Sequence, residues 1–318
     1  MTGLPWFVGR KLVAMLGTVL VASFVIYGAL YLAPGDPAGL LAGGHEMSPA
    51  ALAAIRAQYH LDDPFLVQYW RWLSGVLTGH LGDSMVVKEP VGSLIGARLV
   101  NTVLLVAYAA MLILGLGVLS GILAAVGGKV ADAAVTVTTT VLMAAPAFVA
   151  AIVLIWIFAT KLSWFPVYGS GTGFGDRIHH LTLPAIALSA GYLAYVSRIT
   201  RAEVRAELTS DHVVAARARG VRRWAVLRKH VLRNAAAPVL AVSGITVAGL
   251  FAGTAIAEQA FGVSGLGSLL VQSAARQDLV VVQVLALLLV AAFVLVNMLV
   301  DVANAVLDPR LLRAREAG

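Results

Sequence analysis

The segment Arg198–Arg233, RITRAEVRAELTSDHVVAARARGVRRWAVLRKHVLR, holds ten of the chain's 23 Lys and Arg residues. Long apolar runs flank it on both sides. Positive residues resist translocation, so a basic loop between two apolar spans is expected on the cytoplasmic side of a membrane. It is the longest hydrophilic segment expected on that side, and therefore the expected point of contact with a partner inside the cell.

Composition points the same way. The 318 residues are 60% hydrophobic and 12% charged, with mean hydropathy +0.89. A soluble domain carries about 25% charge, so the chain reads as an all-α polytopic membrane protein. A net charge of +7 also suits a nucleic-acid binder. Here, however, the cations gather beside apolar spans, which favours topology and anionic headgroups of the lipid bilayer as the cause. No nucleic-acid partner is expected. Cysteine is absent, so disulfide and thiolate chemistry are excluded.

Six apolar segments fall at or above the lower end of the roughly 17–25 residues needed to cross a bilayer, the fourth being the shortest. They are Leu12–Leu32, Leu99–Val126, Ala133–Thr160, Leu183–Ile199, Val239–Ala257 and Val280–Leu307. With the N-terminus inside, sixteen Lys and Arg fall on the cytoplasmic side and seven outside. Both termini are thus expected to be cytoplasmic. The expected plan is a cytoplasmic N-terminus (1–11), a first span (12–32), an extracytoplasmic region with short helices (33–98), a core of five spans (99–307) containing the basic loop (198–233), and a cytoplasmic tail (308–318).

Within 33–98, Ser48-Pro49 and Asp63-Pro64 each read as an N-cap followed by Pro at the first helical position. Phe65, Tyr69 and Trp72 form an aromatic stripe on the second of these helices. It suits packing or an interfacial belt better than a docking surface. The Gly-rich stretch WFPVYGSGTGFGD after the third span reads as a flexible turn.

Candidate chemistry is sparse. Gly128-Lys129 is followed by Val130, and the upstream glycine of a phosphate loop is missing. His179 and His180 are adjacent and so make a poor metal pair. No catalytic residues, metal ligands or cofactor-binding residues are expected on this chain, and no enzyme activity. In the last span Asn297, Asp301 and Asn304 share one helix face. They read either as a pathway or gate group, or as a polar seam between helices near the cytoplasmic surface.

In the basic loop, Leu208–Asp211 supplies N-cap residues for a first helix through Ala215, Ala216 and Ala218. Gly220 ends it in the left-handed conformation. A second helix is expected from about Arg222 to Asn234, with Trp224, Leu227 and Val231 as its apolar stripe. The small residues would let another protein approach closely, with the arginines pairing to its acidic groups. An amphipathic loop lying on anionic lipid fits equally well.

The stretch Asp211-His-Val-Val-Ala-Ala-Arg-Ala-Arg-Gly220 resembles the DYVRTARAKG form of the EAA loop in permease subunits of binding-protein-dependent ABC importers. His230, Leu232, Arg233, Asn234 and Pro238 resemble the HALRNALLP continuation of the peptide branch. Leu32–Ala38 (LAPGDPA), Leu61–Pro64, Val67–Leu73, Gly79–Ser84, Asn101-Thr102, Leu183–Ala185, Arg198–Arg201 and Leu307–Arg310 resemble DppB/OppB-type subunits, most of all the dipeptide type. Two departures stand out. Val214 occupies the signature's Glu position, which the peptide branch often lacks. Ser264 replaces Pro in the E-T-x-F-x-x-P-G-x-G pattern that begins here at Glu258.

The resemblance implies a type I ABC importer permease fold with six transmembrane helices in the bacterial cytoplasmic membrane. It implies half of a translocation pathway for dipeptides or short oligopeptides, with nickel or haem as the other cargoes of the branch. It implies an ATPase-coupling helix centred on Asp211, Ala215, Ala216, Arg217, Ala218 and Gly220. The implied partners are a second, DppC-like permease subunit, two ATPase subunits or domains that carry ATP and Mg, and an extracytoplasmic substrate-binding protein. An ion-coupled secondary carrier is the alternative from another class. It would need ionisable groups at the bilayer midplane, where only Asp301 is a candidate, and that near the inner end.

Overall fold

A computed structural model describes residues 3–31, 48–58 and 62–307. Leu32–Ala38, Leu61, Asp308–Arg310 and the tail 308–318 lie outside the described residues, as does the rest of 33–47. The described residues form helices joined by short turns. α1 is Gly3–Tyr31, α2 Pro49–Gln58, α3 Phe65–Leu77, α4 Val91–Val126, α5 Gly128–Ala144 and α6 Ala147–Lys161. α7 is Gly173–Leu208, α8 Asp211–Ala218, α9 Arg223–Ala260, α10 Leu266–Ala275 and α11 Leu279–Leu307.

α7 is the hub. It packs on α4, α5, α6 and α9, and α9 in turn packs on α10 and α11. The main core lies along α4, α7 and α9, with Leu105, Ile113, Leu181, Leu183, Leu250 and Phe261 fully buried. Close approach of α4 to α7 depends on Gly121, where a Cβ would stand 2.5 Å from the Ser197 carbonyl oxygen. α1 is peripheral and leans on α11 and α3.

By length and composition α1, α4, α9 and α11 can each cross a membrane. The expected third span is not one rod. α5 and α6 meet at 105°, because Pro146 disfavours helical backbone at Ala145, whose ψ is 119°. The expected fourth span lies inside α7, which at 36 residues is about 54 Å long. α7 carries more polar residues than the other long helices. With protein around it, it needs no lipid-facing apolar surface along its whole length.

The short helices before α4 appear where expected, with one correction. Ser48 Oγ accepts from the Ala51 amide at 3.3 Å and caps α2. Asp63 does not cap α3: Pro64 occupies the N-cap position, and the Asp63 carboxylate pairs with Arg71 instead. The stripe on α3 packs on α1. Phe65 and Tyr69 meet Phe24 edge-on at 5.5 and 5.3 Å, and Trp72 lies 5.3 Å from Tyr27. The stripe is therefore a packing surface, and Leu66, Trp70 and Leu77, on a different face of α3, are exposed. The Gly-rich loop is anchored rather than free. The Gly169 amide donates to the Phe261 carbonyl at 3.2 Å, and the Ser264 amide donates to Ser170 Oγ at 2.9 Å.

Candidate coupling site

The basic segment folds as a helix–turn–helix protruding from the ends of α7 and α9. Ser210 is the N-cap of α8, with extended backbone (φ −67°, ψ 150°). Two residues after the helix, Gly220 adopts φ +75°, the conformation in which only glycine is unstrained. The Gly220 amide donates to Arg217 O at 2.9 Å and the Val221 amide to Ala216 O at 3.2 Å. The last carbonyls of α8 are thus satisfied within the turn. The second helix is longer than expected. It does not stop at Asn234 but runs on to Ala260 as α9.

α8 has two distinct faces. Val213 and Ala216, 0% and 1% exposed, pack into a small core with Val204, Val226, Val231 and Ala235. This core seats α8 on α7 and α9. The other face is open: Asp211, Val214, Ala215 and Ala218 share it and all are exposed, Val214 at 54%. Arg217, Arg219 and Gly220 are exposed beside it. Of the six expected coupling residues, the fold therefore presents Asp211, Ala215, Arg217, Ala218 and Gly220 outward. Ala216 turns inward.

A polar clasp fixes the base of the turn. His212 Nε2 lies 2.7 Å from Glu207 Oε1. Asn234 Nδ2 donates to the same oxygen at 2.8 Å and stands 3.1 Å from His212 Nε2. One cluster thus joins the end of α7, the start of α8 and the beginning of the long α9. Further along α7, Arg201 and Arg205 both bind Asp132 of α5, and Arg205 also donates to the Ala124 carbonyl at 3.3 Å. By these contacts the turn is coupled mechanically to α4, α5 and α9. Arg217, Arg219, Arg222, Arg223, Arg228, Lys229 and Arg233 are all exposed, so the surface of this segment is strongly cationic.

Two exposed apolar residues were not legible as surface. Val214 stands among small and charged neighbours. Trp224, one end of the expected apolar stripe, is 68% exposed, while Val231 at the other end is fully buried. Exposed apolar groups framed by cations suit a protein contact better than water.

The other candidate group is dispersed. Asp301 pairs with Lys11 of α1. Asn297 donates to Phe293 O within its own helix at 3.0 Å, and Asn304 is half-buried. The face they share is thus engaged in part by the α1–α11 seam. At the opposite end of α9 from α8, Glu258 is 0% exposed. Its carboxyl accepts from Thr102 Oγ1 and from the Ser268 amide, each at 2.7 Å. Thr102 Oγ1 accepts from the Leu266 amide at 2.8 Å, and Asn101 Nδ2 donates to Ser264 O at 2.9 Å. Together they lock α10 onto α4 and α9. Among the described residues, no group of three or more His, Cys, Asp or Glu is arranged to hold a metal ion.

The profile of the inner membrane component of binding-protein-dependent transport systems matches residues 117–313, and that of its N-terminal region matches residues 4–106. The chain belongs to this family. As such a component it is a multi-pass membrane protein. It is similar to a probable peptide ABC transporter permease of Sinorhizobium fredii, at 35% identity over 96% of this chain and 98% of that one. It is similar to the oligopeptide transport system permease AppB of Bacillus subtilis, at 37% over 92% and 94%. The glutathione transport system permease GsiC of Salmonella paratyphi A is 34% identical over 96% and 98%. The fold resembles that of the MetNI methionine ABC transporter in an inward-facing conformation. There the TM-score is 0.51 at 19% identity, over 71% of this chain and 98% of that one.

Proposed function

We propose that this permease component forms half of the translocation pathway of an ATP-driven importer for dipeptides or short oligopeptides. Its α8 turn is the coupling helix that seats in a cytoplasmic ATPase. The observation that carries this reading is the two-faced α8. One face is buried on the helices that would move, and the other, with Val214, Ala215 and Ala218, is open, with Arg217 and Arg219 exposed beside it.

In this reading the chain crosses the membrane six times, with α5 and α6 together as the bent third span and α7 as the fourth. Both termini and α8 lie in the cytoplasm, the side favoured by the excess of Lys and Arg. The 33–98 region and α10 face outward. ATP and Mg act on two partner ATPase subunits or domains. A second, DppC-like permease supplies the other half of the pathway, and an extracytoplasmic binding protein delivers the cargo. The similarity to peptide and glutathione permeases favours a short peptide over a metal complex.

Purification in mild detergent, with mass spectrometry of stoichiometric partners, tests the assembly. A second membrane subunit and an ATPase are expected, and the reconstituted complex should take up a labelled dipeptide or tripeptide only with ATP. A homo-oligomer without ATPase, or uptake that follows a proton gradient with no ATP, would overturn it.

A further inference from the structure

Between α5 and α7 lies a cavity of about 280 Å³ lined by Val135, Thr136, Thr139, Ser197, Arg198 and Arg201. Apart from Val135, all of these side chains are polar. The cavity lies where the apolar part of α7 ends, and Arg198 in its lining stands about 4.5 Å along the helix before Arg201, which binds Asp132. On the proposed reading of α7 as the fourth span, that is the depth where hydrocarbon gives way to headgroups.

Charge is unbalanced there. Asp132 is the carboxylate of this cluster, and both Arg201 and Arg205 already bind it. Arg198 reaches only hydroxyls: Nε donates to Thr139 Oγ1 at 3.4 Å and Nη2 to Thr140 Oγ1 at 2.6 Å. A guanidinium has five N–H donors, so three of Arg198's find no acceptor among the described residues. The two threonines hold the fork in place, since each also donates to Thr136 O, at 3.1 and 2.7 Å. Arg198 is exposed, so its remaining donors at the end of the apolar run are open to an anion as well as to water.

The geometry points to a binding site for a phosphate group at this cavity, filled by an anionic phospholipid of the adjacent leaflet. A planar fork with its outer N–H groups free suits two phosphate oxygens. A basic pocket between membrane helices, at headgroup depth, is the setting in which such lipids are held. The bound headgroup would tie α5 to α7 beside the ion cluster that leads to α8. Lipid would thereby bear on the turn that contacts the ATPase. The site itself does not depend on which side of the membrane that turn occupies.

The test uses the complex purified with its own partner subunits and exchanged into nanodiscs of phosphatidylcholine, with or without phosphatidylglycerol. Native mass spectrometry then reads the phosphatidylglycerol retained after release into detergent. Wild type should retain it. Arg198→Gln should lower retention by about tenfold or more, as expected for loss of charge-assisted hydrogen bonds. Arg198→Lys should keep part of it, and Thr140→Val should weaken it less than Arg198→Gln. Radiolabelled inorganic phosphate, added to delipidated complex, separates the two sources of the group. Phosphate binding that Arg198→Gln abolishes, with no lipid retained by wild type, would assign the same site to free phosphate. Equal lipid retention and equal phosphate binding in wild type and Arg198→Gln would overturn the proposal. So would unchanged lipid retention with loss of the second membrane subunit, which would give Arg198 a protein partner instead. Should Arg198→Gln fail to accumulate, Arg198→Lys and Thr140→Val carry the same comparison.

Discussion

At one end of α9 the Glu258 carboxyl is wholly enclosed, and the chain itself supplies its donors: Thr102 Oγ1 and the Ser268 amide, each at 2.7 Å. At the other end α8 closes its carbonyls through Gly220 and its base through Glu207, His212 and Asn234, then leaves a whole face uncovered. Both regions lie at the ends of α9 and both are built on polar contacts. What differs is where those groups find partners. The Glu258 carboxyl finds its donors within the chain, which suits a role in holding shape. The α8 turn is complete inward and open outward, so its remaining valence belongs to another molecule. Backbone geometry agrees with this division. A Cβ at Gly265 would stand 2.2 Å from the Glu258 carboxyl carbon, whereas one at Gly220 would meet nothing within 4 Å.

The contrast breaks most sharply at Glu258. Glu258→Ala leaves the Thr102 hydroxyl and the Ser268 amide buried without their acceptor. At about 1–3 kcal/mol for each orphaned group, a loss of about 3 kcal/mol is expected. Thermal unfolding of the purified complex should show a clear fall in Tm, with a smaller fall for Glu258→Gln, which keeps one acceptor oxygen. A Tm unchanged in Glu258→Ala would mean that the clasp holds nothing.

At the turn, Gly220→Val has space but not the backbone. The left-handed conformation costs a β-branched residue roughly 1–2 kcal/mol or more. The strain falls on a segment of few residues, so membrane insertion should be normal. Uptake per ATP hydrolysed should drop. A variant with wild-type coupling would show that the turn's shape is immaterial.

On the open face, Ala218→Trp should leave Tm nearly unchanged, because exposed substitutions move stability by about 0.5 kcal/mol or less. Uptake should nevertheless fall by about tenfold, equivalent to about 1.4 kcal/mol of lost contact. A Tm loss with intact uptake would reverse the assignment of the two ends. The weakest effect is expected at the α1–α11 seam. Lys11 and Asp301 are 26% and 44% exposed at their side chains, and such pairs contribute about 0–1 kcal/mol. Asp301→Asn should therefore change Tm slightly and uptake little. A large loss of uptake at unchanged Tm would revive the gate reading for Asn297, Asp301 and Asn304.

Local signals carried much of the architecture. The N-cap residues within Leu208–Asp211 and Gly220 bracket α8 in the sequence, and the helix runs between them. Ser48 likewise marks α2. The bend in the third span had a signal too, Pro146, but the apolar run on either side masked it. The continuation of α9 was hidden by the charges of Arg228, Lys229 and Arg233, which suggested a separate loop helix. Those side chains are exposed, and backbone helix is indifferent to them. The inward turn of Ala216 could not be read, since alanine suits either face and Ala215 stands beside it. Glu258 shows the other kind of limit. Its partner Thr102 is 156 residues away, and no periodicity records such a pairing.

One measurement addresses the central claim most directly. The chain contains no cysteine, so a single cysteine placed along α8 is the one thiol it carries. Val214→Cys, Ala215→Cys and Ala218→Cys, in the assembled complex, should cross-link to the ATPase subunit with a short bifunctional reagent. Val213→Cys and Ala216→Cys should not, because both positions face the core shared with α7 and α9. That alternation is the predicted result. Cross-links of equal yield at all five positions, or none to an ATPase at any of them, would contradict the account.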